Sequence, residues 1–361
     1  MDNSKWNIGW GPIKKCNMAC QFCYSREIRD CKQELGFSDW KKFIDENYKQ
    51  INSINYGTGE NAISDDWFKL IDYIATKYGI LQALTTNGYA SERILNNPRY
   101  DDILKHSISE VDVSLDFCDK EKHNKIRGQE KAYDWAINML DYCNKNNIRS
   151  TIVFIGIDET LTKENIDGLF EIAKKYNSIL RMNIFRPTMK DIESKSRFCC
   201  SYDAIVDMLE YVNVNYNILA ISDPLFSSIL TDNAFEDDPS GSVSLRILSD
   251  GSITPSTYLI TDEFVLANIK DTNVLDRIGN LANMKIERII PDKCVSCQFV
   301  ETCKGGVYDR RYLWYGDFKK RDPYCPFKIE KPLPNTKIKI DDSKKFESVH
   351  HGYLPTIFFA Y

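Results

Sequence analysis

The stretch NIGWGPIKKCNMACQFCY, residues 7–24, sets a short apolar strand directly before a loop that carries Cys16, Cys20 and Cys23. The C-x3-C-x2-C spacing supplies three thiolates, with neither a fourth cysteine nor a histidine beside them; the four histidines of the chain are His106, His123, His350 and His351. Structural zinc wants four closed ligands, and catalytic zinc takes three plus water. A cubane iron–sulfur cluster held by three cysteines leaves one iron open for a chelating molecule, and thiolates are the ligands such clusters require. The spacing admits all three readings. Position adds weight to the last, because a loop after the first strand of a βα series lies at the C-terminal mouth of a parallel sheet, where such folds build their active sites.

The βα series is legible from there outward. Strand candidates follow at INSINY (51–56), ILQALTT (80–86), EVDVSLD (110–116), STIVFIGI (150–157) and ILRMNIF (179–185), each rich in β-branched residues. Amphipathic stretches lie between them, one with Phe68, Leu70, Ile71 and Ile74 on one face. Another places Ala132, Trp135, Ala136, Met139, Leu140 and Cys143 on a single stripe. Alternating strands and helices predict an α/β fold with a parallel sheet. Periodicity alone leaves an incomplete barrel and an open doubly wound sheet equally possible.

Past residue 216 the rhythm changes. The acidic DNAFEDDPSGS (232–242) marks a boundary, and the apolar runs flanking Asp250-Gly251 predict a β-hairpin. The expected organisation is a barrel over 1–215, a linker over 216–240, a small domain over 241–330 and a tail over 331–361. Composition is that of an ordinary globular chain, 43% apolar and 27% charged, and a net charge of −5 offers no basic field for nucleic acid. No apolar run is long enough to span a membrane, and no signal-peptide h-region opens the chain, so a cytoplasmic location is expected. In a reducing compartment twelve cysteines are not a disulfide framework. Seven fall in two tight groups, while Cys31, Cys118, Cys143, Cys199 and Cys200 read as buried or incidental thiols.

Several separate motifs together make the chain resemble a radical S-adenosylmethionine (SAM) enzyme. CNMACQFCY is similar to that family's C-x3-C-x-aromatic-C, which implies that Phe22 lies beside the adenine. NYGTGEN resembles the glycine-glycine-glutamate element that receives the methionine amino group, through Gly59 and Glu60, with Thr58 as a departure. LTTNG resembles the Thr-Asn-Gly element around Asn87, VDVSLDF the ribose-contacting segment through Ser114 and Asp116, and HNKIRG the following element with Arg127 as a carboxylate partner. Read singly, Glu60 is a solvated loop carboxylate, Asn87-Gly88 a turn, Ser114 and Asp116 strand-end residues, and Arg127 half of a surface ion pair. The order and spacing of all five carry the resemblance, which implies a partial (β/α)6 barrel, a SAM-binding [4Fe-4S] cluster on Cys16, Cys20 and Cys23, and SAM as cofactor.

A second group, Cys294, Cys297, Cys303 and Cys325, spaced C-x2-C-x5-C-x21-C, is also a zinc-site pattern. Beside the first group it resembles the SPASM auxiliary-cluster domain, entered through the hairpin. Two family cysteines are replaced, by Ser256 and Val307, which implies one auxiliary [4Fe-4S] cluster rather than two. Thr257 stands where sulfatase-maturing relatives carry a basic carboxylate. The resemblance implies reductive cleavage of SAM to a 5′-deoxyadenosyl radical that abstracts hydrogen from an unactivated carbon, with a ferredoxin or flavodoxin as electron donor. A ribosomally made peptide is the expected substrate, and a sugar, nucleoside or antibiotic intermediate is the alternative. About six residues precede the first strand, so a separate leader-binding protein is expected to recognise a peptide. The rival from another class is a non-catalytic two-cluster electron carrier or zinc protein.

Overall fold

The structure is a computed structural model that describes residues 5–188, 196–232, 237–278, 288–340 and 348–361. The six expected strands all form: β1 (Trp6–Trp10), β2 (Ile51–Tyr56), β3 (Leu81–Thr86), β4 (Glu110–Ser114), β5 (Arg149–Gly156) and β6 (Ile179–Ile184). They lie side by side in chain order, every pair parallel. Later segments extend this sheet at both edges. At one end β7 (Asn217–Ile221) lies outermost, and at the other β8 (Ser244–Ile247) pairs parallel with β1 and then turns back as β9 (Ser252–Thr254). β10 (Ala267–Asn268) completes that edge, while β11 (Ile357–Ala360) inserts antiparallel between β6 and β7. The result is an open eleven-stranded sheet ordered β10-β9-β8-β1-β2-β3-β4-β5-β6-β11-β7.

Period-two alternation gives the sheet two unlike faces. Ile8, Trp10, Ile54, Tyr56, Leu84, Val111, Val113, Ile152, Phe154, Leu180 and Met182 belong to one continuous apolar core. The helices Asp65–Tyr78 and Ala132–Lys145 press their expected stripes onto that face, from Phe68 to Ile74 and from Ala136 to Cys143, while Ala132 and Trp135 pack with Met18 against the cysteine loop. Each fully buried Leu or Ile there contributes about 2 kcal/mol. The intervening strand positions, among them Gly9, Asn55, Thr85, Ser114, Val153, Arg181 and Asn183, line a cavity. A mostly apolar helix-facing side, whose buried Gln82 is hydrogen-bonded to Tyr56 and to Ile71 O, holds the sheet together and leaves the opposite face free to be polar.

The hairpin expected around Asp250-Gly251 is present, and its first strand is part of the barrel sheet. The segment expected as a linker carries β7 and a helix, Pro224–Leu230. Buried Arg310 ties that helix to the second cysteine segment, pairing at 2.6 Å with both Asp223 and Asp322. The tail contributes β11 and also His350, whose Nδ1 lies 2.8 Å from Glu110 and 3.2 Å from Asp112 on β4. Burial would raise the Glu110 carboxyl, yet hydrogen bonds from His350 and Ser348 hold it down at about 2. Among the described residues no helix is long and apolar enough to cross a membrane.

Candidate functional site

A helix terminus shapes the cysteine loop. Asp119 caps the helix Lys120–Arg127 by accepting from Lys122 N–H at 2.8 Å, and Gly128 ends it in the left-handed conformation. The last carbonyls of a helix lack intrahelical partners. Here the loop supplies them: Ala19 N–H donates to Arg127 O at 3.3 Å, and Gln21 donates through its backbone N–H to Ile126 O at 3.0 Å and through Nε2 to Lys125 O at 3.1 Å. A Cβ on Gly128 would fall 2.9 Å from Ala19 O, so only glycine permits this approach. The loop is clamped on its other side by the turn after β2, where Glu60 N–H donates to Lys15 O at 2.9 Å. Gly59, at φ +68°, passes so close that a Cβ would sit 2.5 Å from Ile13 O.

Of the sequence-singled residues, Cys16, Cys20, Cys23, Phe22, Gly59, Asn87, Ser114 and Arg127 all line one cavity at the C-terminal ends of the strands, about 1230 Å3 including the part open to solvent. Glu60 and Asp116 stand behind its wall, both wholly buried. The Glu60 carboxylate is no solvated loop group: it accepts from Thr86 Oγ1 at 2.9 Å and Asn87 N–H at 2.9 Å, locking the third strand's turn to the second's. Burial pushes it up to about 7 against these hydrogen bonds. Asn87 in turn directs Nδ2 to Asn17 Oδ1 at 2.9 Å and to Cys16 Sγ at 3.8 Å.

The Asp116–Arg127 pair is likewise interior. Arg127 Nε donates to Asp116 Oδ2 at 2.7 Å, its Nη1 reaches Cys20 Sγ at 3.9 Å, and its guanidinium lies 5.1 Å from the Phe22 ring centre. Asp116 also accepts from Ile155 N–H at 3.1 Å, while its own N–H donates to His123 Nδ1 at 3.1 Å. His123 is buried and therefore held neutral, its ring pushed down to about 3. Burial drives the Cys20 thiol up to about 11 despite Arg127, and Cys16 is raised for the same reason. Free thiols are thus favoured in the absence of metal, and binding of a cationic cluster is what makes thiolates of them.

Thr58 was read only as a departure from the family motif, and Arg181, Arg186 and Arg246 were not singled out from the sequence at all. Thr58, in place of the family's glycine, keeps a left-handed φ of +70°, which β-branched residues rarely adopt. Its hydroxyl is held by Tyr24 at 2.9 Å and by Arg246. Arg181, paired with Asp112 at 2.5 Å, and Arg186, paired with Asp309 at 3.1 Å, also line the cavity, as do Tyr258, Tyr353 and Leu354. The only signal for Arg181 and Arg246 was a charged residue inside an otherwise apolar strand.

Cys294, Cys297, Cys303 and Cys325 come together around a second, smaller cavity walled by Leu225, Ile229, Phe299 and Phe327. Ser256, where the resemblance expects a cluster cysteine, instead donates to Asp309 Oδ2 at 2.8 Å, and Val307 is fully packed. Cys143 and Cys200 are buried and Cys118 and Cys199 half-buried; the Cys31 side chain lies outside the described residues. Among the described residues no three His, Cys, Asp or Glu side chains converge to hold a metal ion directly. Thiols arrayed around a cavity suit a multi-iron cluster better than one zinc with its short Zn–S bonds.

With this geometry in place, comparison with known proteins is consistent throughout. Residues 10–173 match the Radical SAM superfamily. The mycofactocin maturase of Mycolicibacterium smegmatis is 24% identical over 331 residues, covering 88% of this chain and 82% of that one. A cysteine-type anaerobic sulfatase-maturating enzyme of Clostridium perfringens is 20% identical over 326 residues, covering 81% and 85%. The fold is shared with Streptococcus suis SuiB, solved bound to precursor peptide SuiA, at a TM-score of 0.71 and 19% identity over 89% of this chain and 76% of that one. Residues 10–173 thus form a Radical SAM domain, and over most of its length the chain is similar to relatives that are radical SAM/SPASM-type enzymes. The family of that domain implies a [4Fe-4S] cluster and SAM.

Proposed function

We propose that the enzyme modifies a ribosomally made peptide by hydrogen abstraction, using the Cys16/Cys20/Cys23 loop for its SAM-binding cluster and the Cys294/Cys297/Cys303/Cys325 cavity for one auxiliary cluster. The observation that carries this reading is the convergence of three loop thiols, Asn87, Ser114 and Arg127 on one cavity at the strand ends. When bound, cluster and SAM supply a 5′-deoxyadenosyl radical after one-electron reduction by a ferredoxin or flavodoxin.

The chain's own residues do the positioning. Asn87 and the Gly59 backbone offer polar groups beside the Cys16 loop, suited to an amino acid's head group. Arg127, fixed by Asp116, presents a guanidinium suited to a carboxylate. Ser114 offers a hydroxyl to ribose and Phe22 an aromatic face to adenine. Phe185, Tyr258 and Leu354 restrict water where a reactive carbon must be protected. Support for a peptide substrate comes from relatives whose names refer to maturation of mycofactocin and of sulfatases, and from SuiB with its precursor peptide.

The test is anaerobic reconstitution and chemical reduction with SAM, followed by chromatography. We expect 5′-deoxyadenosine from the native protein and none from a Cys16/Cys20/Cys23→Ala variant. No 5′-deoxyadenosine from reduced, cluster-loaded native protein sinks the enzymatic reading, whereas turnover of a nucleoside or sugar without any peptide sinks the substrate assignment.

A further inference from the structure

Among the described residues, Arg246 is a buried cation without a counter-ion. It lies directly across from Gly9 in the β8–β1 pair and is 4% exposed. The absent side chain of Gly9 makes room for it, since a Cβ there would stand 2.9 Å from its Nη1, while a Cβ on Gly11 would first meet the turn beside it, at 2.7 Å from Thr58 Cβ and 2.8 Å from Gly57 O. Nη2 donates to Gly57 O at 2.8 Å and to the Thr58 hydroxyl, while Nε is buried with no hydrogen-bond partner. Of the other arginines lining the main cavity, Arg127, Arg181 and Arg186 each have a buried carboxylate, and Arg29 has the exposed Asp30 at 3.8 Å. Arg246 has none within ion-pair distance among the described residues. The titratable groups that face it are the phenols of Tyr24, Tyr258 and Tyr353, and burial pushes its guanidinium down.

A buried, unpaired charge costs several kcal/mol. The chain keeps this one, clears space for it with Gly9, and leaves the Nε donor of its planar fork unused beside the cavity. Such a fork matches a carboxylate. The acid group of SAM already has a candidate partner in Arg127, which approaches from the helix after β4, whereas Arg246 approaches from β8 on the opposite flank of β1.

We propose that Arg246 receives a carboxylate of the substrate, so that the molecule acted on carries its acid group into the barrel and seats it beside the Gly57–Thr58 turn. This rests on the radical SAM reading and adds the chemical class of the substrate. The acid has three possible sources: a peptide C-terminus, an acidic side chain, or a small carboxylic acid.

The experiment is equilibrium dialysis with the reconstituted enzyme and SAM, using three acid/amide pairs as probes. These are N-acetyl-Ala-Phe as free acid and as C-terminal amide, N-acetyl-glutamate α-amide and its glutamine counterpart, and 3-phenylpropionate and its amide. We expect one acid to bind about tenfold or more tighter than its amide, the scale of a charged hydrogen bond. Which pair discriminates identifies the source. Arg246→Gln should abolish that preference, and Arg246→Lys, which retains the charge without the fork, should reduce it. Equal binding of acid and amide by the native enzyme in all three pairs overturns the proposal without recourse to any variant, as does an undiminished preference in either variant. SAM affinity that falls in step with acid affinity also overturns it, by assigning the guanidinium to SAM itself. A preserved acid preference without 5′-deoxyadenosine formation would count against the enzymatic reading and leave this one standing.

Discussion

Glu60 illustrates how a motif residue can be legible while its role is not. Its place in NYGTGEN was readable, but the carboxylate turns away from the cavity to Thr86 and Asn87, so it positions the turn that carries Asn87. Burial raises its pKa from 4.5 to about 7, so the folded state favours the protonated form. The sign follows from linkage: the Glu60 contribution to stability is fully present below pH 4.5, declines as pH rises towards 7, and is lost beyond. Glu60→Gln keeps an acceptor there and removes the titration. Chemical denaturation at pH 5 and pH 8 should show the native protein losing more stability than this variant, by an amount on the order of 3 kcal/mol at most. An equal or smaller loss in the native protein contradicts it. The cysteines and Asn87 were legible because their chemistry is local. Arg246 was not, because only the β8–β1 pairing places its side chain over Gly9.

At the level of elements, the parallel strands and their helices follow from apolar periodicity, which is why all six expected strands are found within a few residues of their expected limits. β11 is different. IFFA pairs with Met182 and Leu180 on one side and with Ile221 and Ile218 on the other, so its stability comes from partners well over a hundred residues away. No local pattern distinguishes such a strand from an apolar tail. Deleting residues 350–361 would leave β6 and β7 as unpaired edges and strip His350 from Glu110 and Asp112. We expect the truncated protein to aggregate or to melt at least about 10 °C lower; a soluble product with native melting temperature would show β11 to be dispensable.

Across the whole molecule, two groups of thiols occupy separate cavities, one at the strand ends and one under the helix Pro224–Leu230. Two cubanes with their usual thiolate sets predict roughly eight irons per chain, falling to about four in Cys16/Cys20/Cys23→Ala. Iron and sulfide analysis after anaerobic reconstitution checks this, and a native content near four would remove the auxiliary cluster. At one of the two positions where the resemblance expects a further cysteine, Ser256 is instead hydrogen-bonded to Asp309, which also accepts from Arg186. By itself, the sequence determined the βα series, the two thiol groups and the motifs at successive strand ends, because periodicity and ligand spacing are written over a few neighbouring residues. Only the tertiary structure decided that the hairpin and tail complete the barrel sheet, that Glu60 and Asp116 brace the cavity from behind, and that Arg246 enters it unpaired. Those outcomes depend on which distant strands pair and on which charges burial leaves without a partner, and neither is encoded in any short stretch of chain.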